Sequence, residues 1–370
     1  MNLVERQTRA DEEAKWDPTQ SGKLVGRINE AVRTGDFELA GQILEQSGDM
    51  LNHGALEQLV DEIVKQKRAE GTVLSDSATL SAGRLGRGIR RAQEKEWFFI
   101  VGCPKSGTTW LQNIVNGHPN IWCSGEQNLK KLAEMLEQAA TSYNKDVAEI
   151  NDGHIGQGDA YLMFDQTGLR HVFIHMIQVL FGSALTRIDV GCVGAKNPDL
   201  VTALDLFGEL LPKAKFIHMI RDGRDVAVSG WFHNQRMDTH LKAQHLELST
   251  YVESCAKFWN GAIHSARRFG HGNPGRYLEI RYEDLHEKPG HVIRNLLEFL
   301  GVNASETFVE LCRLAGGFER VSGGRHRGQE DGRSFFRKGI TGDWRNHFDE
   351  SCSNAFAKHG EGLLRQLGYE

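Results

Sequence analysis

Residues 96–125 read E-W-F-F-I-V-G-C-P-K-S-G-T-T-W-L-Q-N-I-V-N-G-H-P-N-I-W-C-S-G, and the fold turns on how they are read. The run Trp97–Val101 is apolar and stops at Gly102, the pattern of a strand buried on both faces of a parallel sheet. A tight loop follows, Cys103 to Thr109, and then an amphipathic run from Trp110 to Val115. Strand, glycine loop and helix in that order aim backbone N–H groups and a helix N-terminus at an anion. Lys105 adds a full positive charge there, and Ser106, Thr108 and Thr109 add hydroxyl donors. The loop reads as a phosphate cradle. It departs from the Walker A pattern, in which the lysine follows the last glycine: here Lys105 precedes Gly107, and Thr108 holds the lysine's place.

Downstream the same alternation recurs. Val190–Ala195, Lys215–Ile220 and Tyr277–Tyr282 read as further core strands and Asn120–Cys123 as a short one. Helical runs separate them at 128–140, 167–185, 199–211, 226–232 and 249–269, and two more follow at 289–300 and 305–314. This order predicts an α/β fold: a P-loop-like parallel sheet flanked by helices on both faces. Ligands of such sheets sit at the carboxyl ends of the strands. Lys105, Lys196, Arg221 and Tyr282 all fall at such ends. Arg221 leaves its strand tip and Ser229 stands about two turns into the next helix, so the pair can grip a second phosphate. The alternative for Arg221 is a structural ion pair with Asp225.

Residues 1–69 read as a helical N-terminal appendage, with 1–21 polar and loosely attached. Its apolar faces are Leu24/Ile28/Ala31/Val32, Leu39/Ile43/Leu44 and Leu56/Leu59/Val60/Ile63/Val64. The phrase G-D-F-E-L-A-G-Q-I-L-E-Q has no second copy, which argues against a repeat array. Residues 70–95 turn to Gly, Ser, Thr and arginine (Arg84, Arg87, Arg90, Arg91) and read as a linker. Those arginines form a solvated face or help to hold an anionic ligand. Residues 96–370 then make the main domain. Within it, 144–168 is polar and glycine-rich and is expected in an acceptor-binding cap; 316–332 is a glycine- and arginine-rich loop.

Composition narrows the classes. Hydrophobic content of 39% and charged content of 25% fit a globular chain, and a net charge of −5 argues against a general nucleic-acid binder. No membrane span is expected, and the charged start M-N-L-V-E-R-Q lacks a signal-peptide core. The six cysteines are scattered with no C-x-x-C pair, so neither a disulfide framework nor a zinc site is expected, and the setting reads as reducing and cytoplasmic. His171 and His175 stand four apart, a spacing that can hold a metal, but no H-E-x-x-H accompanies them. They, like His233, His240 and His245, are read as cap-lining or packed, and no metal is expected.

The string P-K-S-G-T-T-W (104–110) resembles the 5′-phosphosulfate loop of the sulfotransferases, which use 3′-phosphoadenosine 5′-phosphosulfate (PAPS) as donor and release 3′-phosphoadenosine 5′-phosphate (PAP). K-F-I-H-M-I-R-D-G-R-D-V-A-V-S (215–229) is similar to that family's 3′-phosphate segment. F-R-K-G-I-T-G-D-W (336–344) is similar to the R-K-G-x-x-G-D-W string of its cytosolic branch. The resemblance spans about residues 96–345 and implies roles. Lys105, Ser106, Gly107, Thr108 and Thr109 hold the 5′-phosphosulfate. Arg221 and Ser229 bind the 3′-phosphate, with Arg337, Lys338 and the Gly339 backbone closing over it. Trp110 stacks on the adenine, Phe318 on its other face, and Tyr282 meets the base edge.

Two branches of the superfamily are mixed here. H-P-N-I-W-C-S-G-E and the K-N-P-D segment resemble the tyrosylprotein sulfotransferases; Y-E-D-L and R-K-G-I-T-G-D-W resemble the cytosolic enzymes. The cytosolic branch carries its base in K-T-H-x-P, whereas this chain has Lys196-Asn197-Pro198 with no histidine. The tyrosylprotein branch uses a glutamate in G-E, which is Glu126 here. The resemblance therefore implies Glu126 as general base, with Lys105 and Lys196 neutralising charge; alternatively Glu126 only serves a helix dipole. The cytosolic dimer motif is absent, so the oligomeric state is open. The expected acceptor is a small alcohol, sugar or amine ahead of a peptide. The rival readings are a nucleotide kinase-like phosphotransferase and an inactive PAP-binding module.

Overall fold

The structure, a computed structural model, describes residues 18–47, 50–72, 82–154, 161–237 and 247–369. The quoted stretch supplies its centre. Strand β1 (Glu96–Val101) lies in the middle of a five-stranded sheet with β2 (Ile121–Ser124), β3 (Cys192–Lys196), β4 (Lys215–Ile220) and β5 (Tyr277–Arg281), in the order β2-β3-β1-β4-β5. Every pairing is parallel, and Ile100 lies opposite Lys196 on one side and Ile217 on the other. Residues 98–101 are fully buried, which is why the run is apolar without alternation. Side chains still alternate between faces: Trp97 and Phe99 share one of them, where Trp97 meets Phe181 and Phe99 meets Phe207. Gly194 on β3 makes room for Phe98, since a Cβ there would stand 2.5 Å from that ring.

The order has a consequence for function. The chain leaves β1 toward β3 and β2, then crosses to β4 and β5 on the other side. The carboxyl ends of β1 and β4 therefore border a crevice at a topological switch point. Lys105 follows β1 and Arg221 follows β4, so the two cations flank it.

Helices cover the sheet. The N-terminal helices Pro18–Arg33, Phe37–Ser47 and His53–Thr72 share one core with the strands through Ile28, Val32, Phe37, Leu44, Leu59 and Ile63. A buried lysine fastens them to the site. Lys67 donates to the carbonyls of Asn116 (3.2 Å), His118 (2.6 Å) and Ile121 (2.5 Å), at the C-terminal end of helix Thr108–Asn116. Burial pushes its pKa down to about 7, with the buried Cys312 and Cys123 beside it acting the other way. A second core joins helices Gly223–Met237, Leu248–Gly272 and Glu350–Gln366 around Trp259 and Phe356. Trp259 donates its indole N–H to the Arg221 carbonyl (3.0 Å), so this core sets the position of a site residue.

Several sequence expectations change. The stretch read as a linker holds helix Ala82–Glu94, which crosses helix Gln166–Leu185 closely: a Cβ on Gly88 would stand 1.9 Å from the Gly182 carbonyl oxygen. Arg91 donates to the Leu185 carbonyl (3.0 Å), and Arg84, Arg87 and Arg90 are exposed. Helix 128–140 runs on as Leu129–His154. Its extension carries Asn144 and Asn151, which bracket the backbone N–H and C=O of Phe164 and Tyr161 at 2.7–3.1 Å, so side-chain amides continue the pairing where glycine suggested a loop. Residues 18–21 are helical, while 1–17, His240 and His245 lie outside the described residues. The loop at 316–332 contains the short helix Phe318–Ser322. Helix Gln166–Leu185 does have the length and apolarity of a membrane span, contrary to the sequence reading; in the fold it buries Phe173, Ile177, Phe181 and Leu185 in the core. All six cysteines are free thiols.

Candidate active site

The loop after β1 is shaped by backbone that only some residues tolerate. Gly102 has φ +152° and lies where a Cβ would stand 2.5 Å from the Met219 carbonyl oxygen. Lys105 itself has φ +75°, a left-handed conformation costing about 1 kcal/mol in a non-glycine residue. Gly107 (φ +102°) caps helix Thr108–Asn116, and a Cβ there would come within 2.6 Å of the Tyr282 ring. The first-turn N–H groups of that helix have no partners within it. They open on the same side as Lys105, Thr108 and Thr109, which line a cleft of about 240 Å³. Ser106 is the exception among the expected ligands. Its N–H is committed to the Cys103 carbonyl (3.0 Å), and its hydroxyl is buried beneath the loop without a partner, away from the cleft.

Lys105 lines the cleft from the β1 loop. Its ammonium lies 4.2 Å from the centre of the Phe335 ring. Among the described residues no carboxylate stands within ion-pair distance of it. Burial pushes its pKa down to about 8, helped by Arg236, Lys196 and Arg221, with Glu126 pulling the other way.

The opposite wall is built from β4 and a C-terminal loop. Arg221 reaches across the crevice to the Lys105 carbonyl (3.4 Å), donates to the Ile340 carbonyl (3.0 Å) and lies over the Tyr282 ring at 4.4 Å. Its Nε is buried without a partner. The alternative reading of Arg221 holds as well, since Asp225 lies 3.5 Å from it. Asp225 does more: its carboxylate accepts the N–H groups of Gly342 (2.7 Å) and Trp344 (2.9 Å) and so pins the loop onto the helix. In that loop Arg337 and Lys338 both pair with Asp343 (Lys338 at 2.7 Å) and both approach Glu330 (2.6 and 3.7 Å). Burial works against ionised Asp343, but those two cations hold its carboxyl well below the usual carboxylate range. Gly339 (φ +67°) packs against Phe318, where a Cβ would stand 2.3 Å from the ring.

Between the walls is an aromatic slot. Trp110 donates to the Gly316 carbonyl (2.7 Å), which fixes its ring edge-on to Tyr282 (5.1 Å) and beside His286 (4.8 Å). Phe318 and Arg327 complete the lining. Burial, then Arg327 and Arg221, push the His286 pKa down to about 3. At the far end, Glu126 lines the cleft and accepts a hydrogen bond from Lys196, whose side chain is 9% exposed against 59% for the glutamate. Lys196 thus stands behind Glu126 rather than in the cleft. Ser229 and His233, one turn apart on helix Gly223–Met237, complete this end.

The structure therefore gathers Lys105, Gly107, Thr108, Thr109, Trp110, Glu126, Arg221, Ser229, Tyr282, Phe318, Arg337, Lys338 and Gly339 around one cleft. Sequence reasoning missed His286, Arg327, Phe335 and Phe336, and read His233 only as cap-lining or packed. Spacing could have found two of them: His233 and His286 each lie four residues beyond a candidate, Ser229 and Tyr282, on the same helical face. A cavity of about 330 Å³ lies across the Ser124–Gln127 loop, but its polar walls are largely committed, with Lys67, Gln112 and Asn116 bonded to backbone. His171 and His175 are exposed, and among the described residues no group of three or more potential metal ligands forms.

Comparison with known proteins gives the cleft a family. Human sulfotransferase 1C2 is 24% identical over 315 residues, covering 79% of this chain and 90% of that one. Zebrafish (Danio rerio) protein-tyrosine sulfotransferase 1 is 25% identical over 256 residues, covering 68% of this chain and 67% of that one. Both branches of the mixed resemblance are thus represented. Among solved structures, mouse sulfotransferase SULT7A1 complexed with PAP aligns at 18% identity and TM-score 0.46, covering 77% of this chain and 89% of that one. The model of the sulfotransferase family matches residues 98–306, more than half of the 370, and this chain belongs to that family, whose reaction is sulfuryl transfer.

Proposed function

We propose that the cleft binds PAPS as donor substrate and passes its sulfuryl group to a small alcohol, sugar or amine, releasing PAP. One observation carries the reading: Lys105 and Arg221, from the two strands that border the switch point, meet across one crevice whose polar groups await anionic oxygens. Among the described residues no carboxylate stands within ion-pair distance of Lys105, and Arg221 Nε is buried without a partner, a cost of about 1–3 kcal/mol that an anion would relieve. The glycines fit as well, since Gly107 and Gly339 let backbone approach where a Cβ would collide. Family resemblance supports the 5′-phosphosulfate at Lys105, Thr108 and Thr109, the 3′-phosphate at Arg221, Ser229, Arg337, Lys338 and Gly339, and the adenine among Trp110, Phe318 and Tyr282. The distinction between the two phosphate positions rests on that resemblance.

The chemistry follows from the lining. The acceptor oxygen or nitrogen forms its bond to sulfur as the sulfur–oxygen bond to the 5′-phosphate breaks, and the electron pair of the broken bond stays on the phosphate oxygen. The acceptor proton passes to Glu126, which Lys196 holds in place. Lys105 neutralises charge on the sulfuryl oxygens and the leaving phosphate. Incubation with sulfur-labelled PAPS and panels of alcohols, phenols, sugars, amines and tyrosine peptides tests the reading. Label in a small acceptor is expected; label only in peptides would move the substrate class, and ATP-dependent phosphorylation in its place would overturn the function.

A further inference from the structure

His233 is a ring whose hydrogen can be placed from its neighbours. It lines the cleft with Lys105, Glu126 and Ser229. Arg236, three residues on, sets Nη2 2.8 Å from His233 Nδ1. A guanidinium offers five N–H donors and no acceptor, so Nδ1 must carry the lone pair. The imidazole is then neutral, with its one N–H on Nε2. Arg236 is held in turn, because its Nη1 donates to the Ser334 carbonyl (2.5 Å). The next residue on that loop limits the ring from another side, with Phe335 packing edge-on at 6.1 Å. Among the described residues no protein acceptor stands at Nε2.

Resting on the sulfotransferase reading, we propose that His233 is a further catalytic residue: with Nδ1 taken by Arg236, its Nε2–H donates a hydrogen bond to an oxygen of the sulfuryl group in transit. No proton leaves the ring; the acceptor proton still goes to Glu126, and the bonds made and broken are those given above. This arrangement rules the histidine out as general base, since Nε2, the nitrogen that Arg236 leaves open, already bears hydrogen. A neutral imidazole is an effective donor to a developing oxyanion. The charged groups around it keep it neutral: burial, Lys105 from the β1 loop and Arg236 from its own helix lower its pKa, against Glu126 from the loop after β2. Neutrality also spares Glu126, which an imidazolium would draw into an ion pair.

The test uses the chemical difference between three side chains. Gln can place an N–H near the Nε2 position, Asn places one nearer Nδ1, and Ala places none. PAPS turnover is measured with 4-nitrophenol and, without acceptor, as hydrolysis to PAP, with PAP affinity alongside. His233→Ala and His233→Asn are expected to lose about 100-fold in turnover, His233→Gln to stay within about fivefold of wild type, and PAP affinity to change less than about twofold. Equal turnover in all three variants, or Asn outperforming Gln, overturns the proposal. Nitrogen NMR of the ring in the intact protein is the second readout and needs no acceptor: the Nε2–H tautomer is expected near pH 7, and an Nδ1–H ring or an imidazolium sinks the proposal. A wild type that neither binds PAP nor consumes PAPS instead defeats the underlying reading, so the two failures are told apart.

Discussion

The two walls of the cleft hold positive charge in opposite ways. On the β1 side, Lys105 is half-buried, faces an aromatic ring and has its pKa pushed down to about 8. On the C-terminal side, Arg337 and Lys338 are already satisfied by Asp343 and Glu330. A cation held without a counter-ion gains the full interaction with an incoming anion. A cation already paired only exchanges one partner for another, so its net gain is smaller. The first wall should therefore carry the larger effect, on turnover as well as affinity, and the second a smaller one on affinity.

Lys105→Met is the harshest test of this contrast. Turnover should fall about 1000-fold, because charge develops in the transition state beside a group that nothing else replaces. A loss of tenfold or less would erase the distinction between the walls. Glu126→Gln should cut turnover about 100-fold while PAP binds as before; unchanged turnover would move the base elsewhere. Arg337→Ala and Lys338→Ala should each weaken PAP about tenfold, leaving 5′-AMP unaffected and turnover at saturation within about threefold. Equal weakening of PAP and 5′-AMP would remove these residues from the 3′-phosphate.

The pH response sharpens the comparison by a smaller effect. Lys105 loses its proton around pH 8 in the free protein, so PAP affinity should be flat below about pH 7 and several-fold weaker by about pH 9. Lys105→Met should flatten that slope, whereas Lys338→Ala should keep it. Stability moves the other way. The folded pKa lies below the unfolded value near 10.4, so the unfolded chain binds more protons between about pH 8 and 10.4, and this group's contribution to stability rises with pH there. A thermal melt of the ligand-free protein across that range, compared with Lys105→Met, reads it.

Much of the first wall was legible in the sequence because backbone dictates it. Gly102, Gly107 and the lysine between them follow from a strand that must turn sharply into a helix, and the apolar run at 97–101 could only be a buried strand. The strand ends at Lys196, Arg221 and Tyr282 followed from the same alternation. The C-terminal loop of the second wall was legible only through resemblance, because its pairings join residues by loop geometry that no periodicity encodes: Asp225 to the Gly342 backbone, and Glu330 to Arg337. Ser106 misled because a hydroxyl in a phosphate loop looks like a ligand, while the turn commits its N–H to Cys103. Helix Ala82–Glu94 was masked by its own glycines, of which Gly88 serves close packing against Gly182. Helix Leu129–His154 runs beyond the apolar run that marked it in the sequence, and Asn144 and Asn151 tie its extension to the backbone at Phe164 and Tyr161.

The most direct measurement is a calorimetric titration of the wild-type protein with PAP, with 5′-AMP, and with ATP plus magnesium. Tight PAP binding that weakens at least 100-fold when the 3′-phosphate is missing, with magnesium-ATP no better than 5′-AMP, is the predicted result. Magnesium-ATP binding more tightly than PAP would contradict the account and make the cleft a phosphotransferase site.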